Sequence, residues 1–462
     1  MQSAGLRRRP KDGSAIELGR VDGPATRRAK LMDNDDPGWT GLELLDGENA
    51  DREGPGVEPP KFTVNLGHPP AQRYNHIVPH FRQQLSKTDF NGLFDDIIRS
   101  MAPPALAKCL HVLARIALRR VYTSEETAEL RGISNAANIS LHLLVAFNAL
   151  LDLLLGCTSG GCRVEADEKH SSSKVDHGSP TSRVLHFRTL DWGMDALRQI
   201  VVELDFVLYE NGPIVATSLT YFGYVGVLTG VRSNLSLSLN FRPHHDRTTF
   251  RKRLDFRIHQ LLVLLGLRQS ISSVLRGYLL MPVDDVGGQM ESEEDLPPAG
   301  GGPRMSRILR HLALSPSTAA YLVFCTPQKV YCIEKDHRTA SVRSSHDFLT
   351  AYNHDVKDEG DSLRVKEAAL DLAGGPVSGM ENLVRYSTER KTHLDLLWHR
   401  AVNIRRRKYK RRTHAVSMED VLHMVRDVEI SNEETHYAVL MDPERGKILW
   451  RRAYPADESE SV

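Results

Sequence analysis

Cys157 is the residue of this chain with the most to offer chemically. It stands in Gly156-Cys157-Thr158-Ser159, among small residues, where a long apolar helix is expected to stop and a strand-rich region to begin. A thiol becomes a strong nucleophile when a cation or a general base lies beside it. A small apolar residue at a helix end is equally an ordinary packing residue. Downstream runs His186-Phe187-Arg188-Thr189-Leu190-Asp191-Trp192-Gly193, in which Arg188 and Asp191 bracket a strand exit. Taken alone, that pair reads as a salt bridge. Other chemistries lack their spacing. Cys157 and Cys162 are five apart and Cys325 and Cys332 seven apart, without a His pair nearby, so no zinc site is spelled out. There is no phosphate-binding Gly-rich loop, no dinucleotide fingerprint and no Ser nucleophile elbow. His244-His245 follows a strand and reads as a turn. No metal and no cofactor are expected.

The elements that must position these residues follow from periodicity. Residues 1–57 are charged and poor in aromatic and β-branched side chains, and read as a disordered tail. Lys61–Leu66 alternates polar and apolar and predicts a strand. Helical spacing then runs from Arg73 to Leu155, ending in the apolar stretch Leu141–Leu155, which is too short and interrupted to span a bilayer. Short strands are expected at Val184–Arg188, Ile200–Leu208, Ile214–Leu219, Tyr224–Thr229 and Leu235–Phe241. A helix is expected over Arg257–Met281, then strands at Ala320–Cys325 and Val330–Glu334. The chain closes with a helix over Met418–Val425 and a hairpin, His436–Met441 with Lys447–Ala453. Polar stretches near 165–182 and 284–303 read as inserted loops. This mixture predicts an α+β fold.

Composition excludes several classes. Sixty Lys and Arg against 59 Asp and Glu leave +1, which is not the balance of a nucleic-acid binder. Five cysteines in 462 residues make no disulfide framework. Met1–Lys30 contains no apolar core of an export signal, so the chain as written reads as intracellular.

The order of segments resembles the acid ceramidase and N-acylethanolamine-hydrolysing acid amidase family. The resemblance runs from about Pro59 to about Tyr454. It is carried by Pro59–Leu66 with Pro69-Pro70 and Arg73-Tyr74, by Phe147-Asn148 followed by Gly156-Cys157-Thr158-Ser159, and by His186-Phe187-Arg188 with Asp191-Trp192-Gly193. Further on it is carried by Phe222–Gly230, by Leu237–Asn240 with Arg242, by Asn353-His354-Asp355 and by Glu389-Arg390.

The resemblance implies an N-terminal-nucleophile hydrolase: an αββα sandwich over 157–462, preceded by a short, mainly helical segment with one strand over 58–156. It implies cleavage between Gly156 and Cys157, leaving a heterodimer of self-cleaved fragments. Cys157 would be the nucleophile and its freed α-amine the base. Arg188 would favour the thiolate, and Asp191 would hold the amine. Asn353, through its side chain, and Asn240, through its backbone N–H, would serve the oxyanion, with Arg390 bracing the cluster. The implied substrate is an N-acyl lipid, ceramide first and N-acylethanolamine second, with Leu141–Leu155 and Phe222–Leu228 lining an acyl groove.

Three departures from the family pattern bear on this. Cys157 and Arg188 are 31 residues apart, about twice the family's spacing, which leaves strand pairing after Cys157 open and makes Cys162 a rival nucleophile. It also motivates a non-catalytic lipid-binding relative as the alternative. Asn240-Phe241-Arg242 stands where the family has Asn-Glu-Arg. The family usually enters the secretory route to lysosomes or the exterior. One feature lies outside the resemblance: residues 405–412 hold seven cations, read as a solvated loop, with an anionic membrane surface or nuclear targeting as other readings.

Overall fold

The structure is a computed structural model that describes residues 56–87, 92, 94, 112–150, 156–165, 182–192, 194–280, 305–359, 383–409 and 414–455. The expected tail lies outside these residues except for Gly56 and Val57, and Val57 bridges Ala453. The 284–303 insertion also lies outside them.

Two β-sheets pack face to face. The larger has eight strands in the order β1-β4-β5-β6-β7-β8-β9-β10. These are β1 (Lys61–Asn65), β4 (Val201–Val207), β5 (Ile214–Tyr221), β6 (Thr229–Arg232), β7 (Leu235–Phe241), β8 (Ala320–Cys325), β9 (Val330–Lys335) and β10 (Ala340–Ser345). The smaller has five, ordered β11-β2-β3-β12-β13. Its members are β2 (Gly156–Glu165), β3 (Ser182–Asp191), β11 (Phe348–Ala351), β12 (Thr435–Asp442) and β13 (Lys447–Ala453). Strand β2 meets β7, β8 and β9 across the interface, and β13 meets β5 and β6.

Helices cover the outer faces. Helix α5 (Ile271–Leu280) lies on β5, β6 and β7, while α8 (Met418–Arg426) lies on β2 and β3 with α7 (Leu383–Tyr409) against it. The other helices are α1 (Val78–Lys87), α2 (Ser124–Ala137), α3 (Leu141–Leu150), α4 (Phe250–Leu264) and α6 (Met305–Leu314). The result is an α+β fold of four layers, helix, sheet, sheet, helix. The segment before Gly156 does not stand apart from it. Strand β1 runs parallel to β4, with Lys61 opposite Glu203 and Asn65 opposite Val207.

Several expectations need correcting. Gly156–Glu165 is a ten-residue strand between β11 and β3, which the sequence reading did not assign. It pairs with β3 without a break from Gly156↔Asp191 to Glu165↔Ser182. Glu165 and Ser182 are therefore strand residues, and only 166–181, outside the described residues, connect them. The long spacing between Cys157 and Arg188 is taken up in that connection and leaves the pairing intact.

Tyr224–Thr229 is not a strand, because other groups satisfy its backbone. Val225 N–H donates to Asn148 Oδ1 at 2.8 Å and Val227 N–H to Ser272 O at 3.1 Å, and Arg276 donates to Val225 O at 2.7 Å. The helix expected over Arg257–Met281 is two, α4 and α5, broken where Gly266 takes φ +65°, a conformation that costs glycine little. Residues 405–409 are not a loop but the end of α7, and 410–413 lie outside the described residues. Strands β10 and β11 and most of α7 had no forewarning in the sequence reading.

Candidate active site

Strand parity decides which side chains meet. Successive residues of β2 point to opposite faces of the sheet. Cys157 belongs to the main core between the sheets, with Leu190 opposite it. Cys162, five positions on, falls on the other face, in the core beneath α7 and α8 with Trp398, Val402 and Met424. Two glycines let the layers close here. A Cβ on Gly161 would lie 2.7 Å from Cys325 Sγ of the facing sheet, and one on Gly160 2.8 Å from the Phe187 ring.

Arg188 stands across from Ser159, on the Cys157 face. Its Nη2 donates to Cys157 Sγ at 3.0 Å. Its Nη1 donates to Leu228 O and, at 2.6 Å, to Thr229 Oγ1. The guanidinium lies over the Tyr437 ring, 5.8 Å from its centroid, and Tyr437 Oη meets Thr229 Oγ1 at 2.9 Å. Both Cys157 and Arg188 have no solvent exposure. Burial pushes the Cys157 thiol up and outweighs the opposing charge of Arg188, while Asp191 adds to the rise. Cys162 lacks a cation, and burial alone raises it far above the usual thiol range.

The nitrogen of Cys157 is held as firmly as its sulfur. Cys157 N–H donates to Asn353 Oδ1 at 2.8 Å. Asn353 Nδ2 donates to Phe241 O at 2.8 Å, and Arg390 Nη2 reaches Asn353 Oδ1 at 3.4 Å. Here Asn353 is an acceptor toward Cys157, and the amide donor expected for an oxyanion is engaged by the Phe241 carbonyl. Arg390 Nη1 pairs with Asp191 Oδ2, and Thr435 Oγ1 donates to Asp191 Oδ1 at 2.7 Å. Burial raises the Asp191 carboxyl against the pull of Arg390. Asn240 acts through its side chain. It accepts from Ser159 Oγ at 2.7 Å and donates to Ala351 O at 3.0 Å and Cys157 O at 3.5 Å.

The six expected residues therefore converge from β2, β3, β7, α7 and the turn after β11, with Gly156 opposite Asp191. Arg242 fixes that turn, donating to both Asp355 oxygens at 2.7 and 2.8 Å. Burial works against the charge on Asp355, but these bonds hold its carboxyl below the usual carboxylate range. Sequence reasoning missed Ser159, Thr229, Thr435 and Tyr437. Ser159 alone had a signal, lying two residues from Cys157 and so on its face of any strand.

The apolar segments assigned to an acyl groove are packed in the core where they are described; 151–155 lie outside the described residues. Phe222, Tyr224, Val227 and Leu228 are buried, as are Leu143–Phe147 of α3. Asn148 ties the two together, donating to Gly223 O at 2.8 Å as well as accepting from Val225. Among the described residues no group of three or more His, Cys, Asp or Glu is placed to hold a metal ion, and no helix is long and apolar enough to cross a membrane.

Comparison with known proteins adds the following. Residues 57–122 match the family model described as the beta subunit of N-acylethanolamine-hydrolyzing acid amidase. The chain is 28% identical over 196 residues to the Caenorhabditis elegans N-acylethanolamine-hydrolyzing acid amidase, covering 40% of this chain and 48% of that protein. It is 26% identical over 198 residues to the acid ceramidase of Rattus norvegicus, covering 40% and 45%. The chain thus spans about half the length of the curated relatives it matches. Among solved structures it is similar to a C. elegans N-acylethanolamine-hydrolyzing acid amidase ortholog, with a TM-score of 0.36 and 17% identity over 62% of this chain and 93% of that one. In its ordered motifs around Cys157 and its amino-terminal segment, the chain is similar to the acid ceramidases and N-acylethanolamine-hydrolysing acid amidases.

Proposed function

We propose that this chain is a self-processing amidohydrolase that cleaves the amide bond of an N-acyl lipid, with Cys157 as its nucleophile. One observation carries the reading: both reactive atoms of Cys157 have dedicated polar partners in a buried cluster, Sγ with Arg188 and N with Asn353. Burying two arginines and an aspartate around one thiol is costly, and such clusters mark functional sites.

In processing, Sγ bonds to the Gly156 carbonyl carbon as the Gly156–Cys157 C–N bond breaks and the nitrogen takes up a proton. Water then opens the thioester, leaving a Gly156 carboxylate, a free thiol and a new α-amine. In turnover that amine takes the thiol proton, and the thiolate attacks the substrate carbonyl. The amine's proton passes to the leaving nitrogen, and water releases the acid. Arg188 offsets the charge on sulfur. Asp191, held by Arg390 and Thr435, faces the position of the new amine through its pairing with Gly156. To serve an oxyanion, Asn353 Nδ2 would leave Phe241 O and Asn240 Nδ2 would leave Ala351 O.

The surface supports a lipid substrate. Helix α4 exposes Phe250 (70%), Leu254, Ile258 and Leu261 among Arg251, Lys252, Arg253 and Arg257. The short helical stretch 112–117 exposes Val112, Leu113 and Ile116. An apolar stripe rimmed by cations suits the edge of a bilayer. Ceramide is the first substrate to test and N-acylethanolamine the second.

Intact mass and amino-terminal sequencing after incubation in acid test the reading. A fragment beginning Cys-Thr-Ser-Gly is expected, with hydrolysis of ceramide or N-acylethanolamine and none of penicillin V. A chain that stays whole yet hydrolyses these amides overturns the mechanism.

A further inference from the structure

Asn353 is gripped at both ends by helix α7. Its side chain is reached by Arg390, and its backbone N–H donates to Ser387 Oγ at 2.8 Å. The same Ser387 oxygen lies 2.7 Å from His354 Nδ1. On its other side His354 Nε2 is 3.5 Å from Glu359 Oε1, and Glu359 Oε2 is 3.5 Å from Lys391 Nζ. Ser387 has no exposure and His354 very little, whereas the Glu359 side chain is 28% exposed. The His354 ring stacks on Tyr352 at 9°, with centroids 5.7 Å apart. Glu359, Arg343 and His354 line one small pocket.

The serine hydroxyl has one proton and two lone pairs. With Asn353 N–H donating to it, Ser387 gives its proton to a neutral His354, whose Nε2–H faces Glu359. A protonated His354 donates to Ser387 instead, and the serine turns its proton toward a carbonyl of its own helix. The serine, histidine and carboxylate are in the order of a hydrolase triad. Ser387 Oγ is nonetheless buried and taken up by the Asn353 amide, so orientation rather than nucleophilic attack is its chemistry.

We propose that Ser387 and His354 are positioning residues that run in a line from Glu359 through Asn353 to the nitrogen of Cys157, and that the hydrogen bond between them sets how Asn353 is presented. The inference rests on reading Cys157 as the nucleophile. The charged groups around the line are Glu359 in the following turn, Lys391, Arg390 and Asp395 on α7, and Arg343 on β10.

The test uses the full chain. Self-cleavage is followed by intact mass from pH 4 to 8, with thermal melting as a folding control, for wild type, Cys157→Ala, Ser387→Ala, Ser387→Thr and His354→Gln. Ser387→Ala should slow cleavage about tenfold, the loss of one orienting hydrogen bond. Ser387→Thr, which keeps the hydroxyl, should return most of that rate. His354→Gln keeps a polar partner for Ser387 but not the imidazole that meets both Ser387 and Glu359, so its cleavage should be slower than wild type across the pH range. If Ser387→Ala fails to melt cooperatively, the His354→Gln rate decides. Cleavage in wild type with unchanged rate in the variants overturns this inference alone. Cleavage that survives Cys157→Ala overturns the nucleophile reading and this inference together.

Discussion

Two thiols five residues apart on one strand cannot do the same job. Cys157 faces the sheet interface, where Arg188 meets it, and Cys162 faces the helices and meets only apolar side chains and the Leu185 carbonyl. Cys157→Ala should abolish both self-cleavage and amide hydrolysis. Cys162→Ala should leave both within about twofold of wild type and cost stability alone, on the order of 1–2 kcal/mol for a buried side chain made smaller. Intact mass, product formation and thermal melting separate these outcomes, and equal loss of activity from both would remove the thiol from the chemistry. The residues themselves were legible from the order of short motifs. Which cysteine faces the arginine was not, because Gly156–Glu165 is rich in glycine and small polar residues with little intrinsic strand preference. Its strand character comes from the partners on either side, β11 and β3.

At the scale of elements, the β2–β3 hairpin carries both Cys157 and Arg188, and its far end is well secured. Arg163 donates to Ser182 Oγ at 3.0 Å, Glu165 N–H donates to Val416 O at 3.0 Å, and Glu165 pairs with Arg405 at 2.8 Å. The first cation of the basic run is thus a clamp on this hairpin. Replacing residues 166–181 by Asn-Gly, a pair suited to a two-residue hairpin turn, should leave the protein soluble and its melting temperature within a few degrees. Insoluble protein would show that the connection is structural. Hairpins and short core strands were legible because their apolar runs end at Gly, Asn or Pro. Helix α7 was not, since Ser387 and Arg390 occupy buried positions on the stripe formed by Val384, Leu394, Trp398 and Val402. Site residues written into a core face disguise its period.

For the whole molecule, the amino-terminal segment is stitched into the larger part by strand pairing and buried charge. Lys61 bonds Glu203 and Asp205, each at 2.8 Å. Glu129, wholly buried on α2, takes Arg73 at 2.8 Å from its own segment and Arg276 at 2.7 Å from α5. After cleavage the two fragments should elute together in gel filtration without denaturant. Glu129→Ala, which takes the buried carboxylate from Arg276 and leaves Arg73 only Glu125, should lower stability by about 3–5 kcal/mol, read from denaturant melts. Co-elution failing in the wild type would mean the contacts across the cut are too weak to hold it. The Asn148 clamp then acquires a kinetic meaning. Gly156 follows Asn148 by eight positions, a leash of at most ~28 Å when drawn straight. If the Gly156–Cys157 bond is cut as proposed, the new carboxylate is a tethered product. It then stays within reach of the site at an effective concentration on the order of millimolar, a built-in competitor for an incoming acyl chain.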